Sequence, residues 1–195
     1  MAKKKKVTVS YHNSVFFKYA LTDEEDSILL PSIIKNVTQR NPGKLKLLSN
    51  IHTDPHDDLY VEAAGANGIR YFLKMWSIEI TQSIWDEIQS HAIEEIKKHE
   101  KAKDGVKQVC EITFINGKAK DFHHALIHHL QVKDEHDKVI SLQFPIQFYY
   151  VYLPYVNQLE REKGFANMTE FELLCYLFHN GEKAYMKKRK EVYNR

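Results

Sequence analysis

Glycine and proline are scarce in this chain of 195 residues, at seven and five. A loop-rich or collagen-like chain needs far more of both. Cysteine is scarcer still. Cys110 and Cys175 are too few for a disulfide scaffold, and both stand among apolar neighbours, so they read as reduced core residues of a cytoplasmic protein. No apolar run approaches the roughly 20 residues that span a bilayer, so no membrane partner is expected. The Lys3 to Lys6 run leads into Val7-Thr-Val-Ser10 without an apolar stretch behind it, which is not a secretory signal. The chain lacks a Gly-x-Ser-x-Gly elbow, a phosphate-binding glycine loop and a Rossmann glycine pattern. Nothing repeats at a period of roughly 20 to 50 residues, which excludes a solenoid.

What is present is an ordinary globular balance, 43% hydrophobic and 28% charged, at a length that suits one domain or one domain with a helical appendage. Ten Phe, eleven Tyr and two Trp can fill a core. The net charge of +2 hides an asymmetry: Lys3 to Lys6 carry +4 and residues 182–195 another +4, leaving −6 on residues 7–181. Nucleic-acid binding draws most of its affinity from Lys and Arg meeting phosphates. The acidic body is therefore no DNA clamp, although the basic termini could make a weak DNA contact. The plainer reading is that both ends are solvated charge.

Local signals set the order of elements. Thr22-Asp-Glu-Glu25 is a capping box opening a helix through Ile28, Leu29, Ile33 and Ile34, in which Pro31 predicts a kink or break. Asn41-Pro-Gly43 ends that unit. Leu59–Ala64 and Ile69–Trp76 read as a hairpin around the Asn67-Gly68 pair. Helical spacing returns over Ser83–Lys101. Val106–Phe114 alternates, with Cys110, Ile112 and Phe114 on one side and Glu111 and Thr113 on the other, as in a half-buried strand. Phe122–Val132 and Ser141–Tyr152 read as two further strands joined by Asp134–Asp137, with Pro145 marking a sheet edge or bulge. Thr169-Glu-Phe-Glu172 is a second capping box, Asn180-Gly181 a helix stop, and a short basic helix follows from about Glu182. A hairpin, a crossover helix and another strand make an α/β core with a mixed sheet.

Several of these stretches share a pattern with a known family. His12-Asn-Ser-Val-Phe-Phe-Lys18 followed by Asp23-Glu-Glu25, the hairpin Tyr60 to Trp76, the strand Val109-Cys-Glu-Ile-Thr-Phe114, and the alternation of Leu142, Phe144, Ile146, Phe148 and Tyr150 into Tyr152-Leu-Pro154 resemble the PD-(D/E)XK nuclease-family transposases, the recombination-promoting nucleases (Rpn). The resemblance covers roughly residues 12 to 160. It implies a restriction-endonuclease-like core with a mixed sheet flanked by helices, to which the C-terminal helices are added. Residues 1–11 would then be a basic N-terminal segment, 12–160 the nuclease-like domain and 161–195 a C-terminal helical segment. In such nucleases an Asp on one strand and a Glu on its partner hold Mg²⁺ beside the scissile phosphate, and a Lys or Gln two residues on positions the attacking water. Hard Mg²⁺ needs carboxylate oxygens, and it stabilises phosphate charge and acidifies its water.

The resemblance does not carry the catalytic residues. The family's opening Asp falls on Ser14, its hairpin Asp on Tyr60, its Glu on Lys74 and its Gln on Trp76. A phenol neutral at pH 7 is a poor Mg²⁺ ligand, and an amine puts a cation where an anion belongs. The expectation is a pseudo-nuclease with no confident metal or catalytic residue and no required cofactor, acting through protein or nucleic-acid contacts. It would pair with itself or with a related active nuclease whose activity it tempers. The exposed rings for such pairing would come from Phe148-Tyr-Tyr-Val-Tyr152 and Tyr155, although most of them read as core. The alternative is an active Mg²⁺-dependent DNA endonuclease with relocated ligands, Asp58 and Glu62, which flank Tyr60 on the same strand face at about 6.6 Å along the strand. Against it, Asp54, Asp57 and Asp58 read as a solvated acidic turn. A third possibility is a remnant of a mobile element without a present task.

Three other groups carry possible chemistry. His124 and His128 would clamp a metal on a helix, but on a strand they stand about 13 Å apart. His52, Asp54 and His56 in one loop are a weak metal candidate. Cys110 beside a histidine could be imagined as a nucleophile, but its side of the strand is the side of Ile112 and Phe114, so the core reading prevails.

Overall fold

The computed structural model describes residues 21, 29–48, 60–76, 106, 108–119, 122, 124–130, 136 and 146–193. Helix α1 runs Leu29–Thr38. Strands follow as β1 Leu45–Leu47, β2 Tyr60–Gly65, β3 Ile69–Trp76, β4 Gln108–Ile115, β5 Ile127–Leu130 and β6 Ile146–Tyr152. Helices α2 Val156–Lys163 and α3 Glu170–Tyr193 close the chain. The strands form one six-stranded mixed sheet in the order β1-β2-β3-β4-β6-β5. Antiparallel pairing joins β1 to β2, β2 to β3 and β5 to β6, while β3, β4 and β6 run parallel. The fold class is α/β with C-terminal helices.

The hairpin turns as its sequence asks. Gly68 takes φ 80°, the Gly68 amide donates to the Gly65 carbonyl at 3.0 Å, and the Ile69 amide donates to Asn67 Oδ1 at 3.0 Å. A Cβ on Gly65 would stand 2.5 Å from Asn67 Oδ1 and 3.0 Å from the Pro42 carbonyl oxygen, so only glycine fits there.

One face of the sheet is covered by helices. Leu30, Ile33, Ile34 and Val37 recur along one side of α1 and pack with Val61, Ala63, Tyr71, Leu73, Met75, Cys110, Ile112, Phe114 and Val151. Helix α3 adds Phe171, Cys175 and Phe178 to the same core, and Phe178 meets Phe114 edge to face at 6.0 Å. Each such burial removes about 1.5–3 kcal/mol of apolar exposure. The second capping box forms as read: the Thr169 amide donates to Glu172 Oε2 at 2.7 Å and the Glu172 amide to Thr169 Oγ1 at 3.3 Å. The helix breaks at Gly181, where φ is 81° and ψ 166°, and the basic helix follows.

Several expectations need correction. Pro31 lies within α1, and the described helix Leu29–Thr38 runs through it without a break. Of the strand read over Phe122–Val132, the described residues form strand at Ile127–Leu130, Phe122 and 124–126 are not strand, and 131–132 lie outside the described residues. The described strand Ile146–Tyr152 lies inside the sheet between β4 and β5, and Ser141 to Pro145, with the edge or bulge read at that proline, lie outside the described residues. Tyr149, Tyr150 and Val151 are core, and Phe148, Tyr152 and Tyr155 are half-buried, so this run offers little open aromatic surface. Strand β1 and helix α2 were not anticipated. Capping box Thr22–Glu25, helix 83–101 and, His136 apart, the connection 134–137 lie outside the described residues.

Candidate functional site

Paired residues on neighbouring strands project to the same face, and side chains two apart along a strand share it. The register therefore lays out the sheet face opposite the main core. Tyr60 pairs with Lys74, Lys74 with Thr113, Thr113 with Tyr150 and Tyr150 with His128, a single row across five strands. The next row is Glu62, Phe72, Glu111, Phe148 and Leu130, and Arg70 lies one step further along β3.

This face buries charge. Lys74 and Glu111 have side chains only 10% and 4% exposed, and Lys74 Nζ lies 2.7 Å from Glu111 Oε1. The same oxygen accepts a hydrogen bond from Thr113 Oγ1 at 3.2 Å, and Thr113 is fully buried. A carboxylate in such a place must be paired and hydrogen-bonded, and here it is both. The neighbouring row repeats the arrangement with Arg70 Nη1 on Glu62 Oε1. Burial, and then the Glu111 charge, push the Tyr150 phenol well above its ordinary value, so it stays neutral beside the pair. Phe122, Ile115, Ala119 and Tyr150 form a second, smaller core on this face, with Trp76 packed against it. Trp76 Nε1 is buried with no hydrogen-bond partner among the described residues.

Tyr60 and Lys74 stand directly opposite each other across the hairpin, and Trp76 follows on the same face two residues on. Glu62 shares the face, but its carboxylate is held by Arg70. Ser14, Asp58, His52, Asp54, His56 and Asp57 lie outside the described residues. Sequence reasoning missed Arg70, Glu111, Thr113 and Tyr150 as members of this face. Alternation put Glu111 and Thr113 on the side away from Cys110, which holds, but that side is also covered: both residues are buried.

The histidine pair requires a correction. The rings of His124 and His128 are 4.6 Å apart, not about 13 Å, because the chain before Ile127 bends and is not a strand. His128 Nε2 lies 2.9 Å from the Ala125 carbonyl and 3.2 Å from that of Phe122, so this nitrogen holds its proton as a donor and has no lone pair to give a metal. Burial drives His128 below its ordinary pKa. Cys110 is free and buried, with its thiol pushed up to about 12 by burial, which makes it a poor nucleophile.

No family model, no curated protein and no solved structure matches the chain. No helix of the described residues is long and apolar enough to cross a membrane.

Proposed function

We propose that the chain is a non-catalytic relative of the PD-(D/E)XK recombination-promoting nucleases, with a restriction-endonuclease-like core whose metal site has been replaced by an internal ion pair. The carrying observation is Lys74 Nζ at 2.7 Å from Glu111 Oε1 in a nearly dry setting. The hairpin register supports the correspondence. The two positions that would bear metal-holding carboxylates, Tyr60 and Lys74, face each other across β2 and β3, as two ligands of one ion must. At that point the chain supplies its own cation. A lysine ammonium neutralises Glu111 but binds no water to activate and presents no open coordination position, so it cannot do the work of a divalent ion. A metal would have to displace a buried ammonium and leave it uncompensated. What remains to such a fold is binding, to a second copy, to a related active nuclease, or to nucleic acid through its basic ends.

The reading is tested by titrating Mg²⁺ and Mn²⁺ into the protein by calorimetry and by incubating it with supercoiled and linear DNA. The expected result is no saturable heat and no cutting. Metal-dependent cutting lost on Asp58→Ala or Glu62→Ala would overturn it and establish an endonuclease with relocated ligands. That outcome is disfavoured by the Arg70 guanidinium already seated on Glu62.

A further inference from the structure

The last helical stretch carries a feature that the sheet face leaves unused. Beyond the break at Gly181, Tyr185, Arg189 and Tyr193 recur every four residues and so stand in one row, with Met186 and Lys190 beside it. Together with Phe165 and Leu173 they line a cleft of about 670 Å³. Phe165 is its floor, buried and packed edge to face against Tyr176 and Tyr185 at 5.3 and 5.6 Å. The rim is different: Tyr193 is 59% exposed and Met186 39%. Among the described residues only Leu47 is a further large hydrophobic left that open, so exposed apolar surface is concentrated at this cleft. Such concentration marks recognition more often than packing.

The charges divide in the same way. Lys188 is held by Glu160 at 2.7 Å, and Lys187 lies 3.9 Å from Glu191. Arg189 and Lys190, the two cations that line the cleft, have no ion pair among the described residues. A rim of open ring, floor of rings and two unneutralised cations fits a ligand with a flat apolar group next to a negative charge. Single-stranded nucleic acid repeats that combination at every residue. A duplex offers the phosphates but hides its base faces in the stack. An acidic peptide offers the charge without a regular flat group.

We propose that this cleft binds single-stranded nucleic acid, with a base stacked on Tyr193 and the adjoining phosphates on Arg189 and Lys190. The inference rests on the proposed function only in taking nucleic acid as the partner class, and it names where and in which form. The test is fluorescence anisotropy of the full chain with a labelled oligothymidine of about a dozen nucleotides, a length within single-strand site sizes, in EDTA. Tyr193→Leu weakens binding roughly 5- to 150-fold, the range of one lost base stack, while Tyr193→Phe binds as the parent does. Arg189→Ala with Lys190→Ala lowers the slope of log affinity against log salt by about 1.4, at roughly 0.7 for each phosphate on a single strand. Both substituted sites are at the cleft rim, and thermal melts confirm that the variants remain folded. Unchanged binding by Tyr193→Leu overturns the proposal. So does equal competition by polyglutamate, which would make the cleft a site for acidic protein segments. Failure here leaves the Lys74–Glu111 argument intact, whereas metal-dependent cutting would overturn that argument and leave the cleft untouched.

Discussion

Replacing Lys74 by methionine keeps most of the length and the apolar stem of the side chain and removes its ammonium group. In the native protein that charge meets Glu111 at 2.7 Å, and the Glu111 side chain is only 4% exposed. Removing one member of a buried pair costs about 3–5 kcal/mol, because the other is left charged and dry. Glu111 keeps its bond from Thr113 Oγ1, and a hydrogen bond to a charged group is worth about 1.5–3 kcal/mol. The expected loss therefore lies at the lower end, about 3 kcal/mol. For a chain of this size each kcal/mol moves Tm by about 2–4 °C, giving a fall of roughly 6–12 °C. Urea unfolding read by tryptophan fluorescence and by circular dichroism supplies the free energy. The double variant Lys74→Met/Glu111→Gln removes both charges and recovers most of the loss, so the cycle shows a coupling of about 2 kcal/mol or more. A Lys74→Met loss within about 0.5 kcal/mol, the scale of an ordinary surface substitution, would mean that water reaches the pair. The site would then be no drier than the surface, and the case for an internal cation in place of a metal would fail.

Three further outcomes follow from local geometry. Gln39 ends α1 at φ 58°, a conformation glycine adopts without a Cβ penalty, so Gln39→Gly raises stability by about 0.5–1 kcal/mol in the same unfolding assay. Burial pushes Glu172 up, but Lys163 and the Thr169 amide and hydroxyl outweigh it and hold the carboxyl below its ordinary value. Its stabilisation is thus present above the unfolded carboxylate range and lost as pH falls through the folded value, and Glu172→Gln flattens that acid limb of the stability curve. Burial also raises both thiols, Cys110 to about 12 and Cys175 well above its usual value. A thiol-reactive chromophore should therefore leave both unlabelled in the native protein and react with both in denaturant; fast labelling of either in the native state would show that the core opens locally.

Much of the frame was legible because local rules and tertiary structure agree there. The Asn67-Gly68 turn fixed the hairpin, and its register followed from the alternation of Val61 and Ala63 against Tyr71 and Leu73. Thr169 and Glu172 cap α3 as their spacing requires. The failures occur where position in the sheet outweighs pattern. Glu111 and Thr113 read as the wet side of a half-buried strand, yet β4 lies between two parallel neighbours, and strands in such a place are covered on both faces. The polar alternation that usually points to water therefore pointed to a buried ion pair. The clue was present in Lys74, a lysine inside an otherwise apolar run from Tyr71 to Trp76. A lone charge in such a strand must find an opposite one within reach on an adjacent strand, and on β4 only Glu111 offers one. Asking which carboxylate satisfies Lys74 leads from the sequence to the centre of this face. The same question explains why Glu62 is a poor candidate ligand: Arg70, eight residues on along the same hairpin, faces it and holds it. Among the described residues of this half-dry face, two cations and two carboxylates neutralise each other in pairs and leave no net negative charge to draw in a divalent ion.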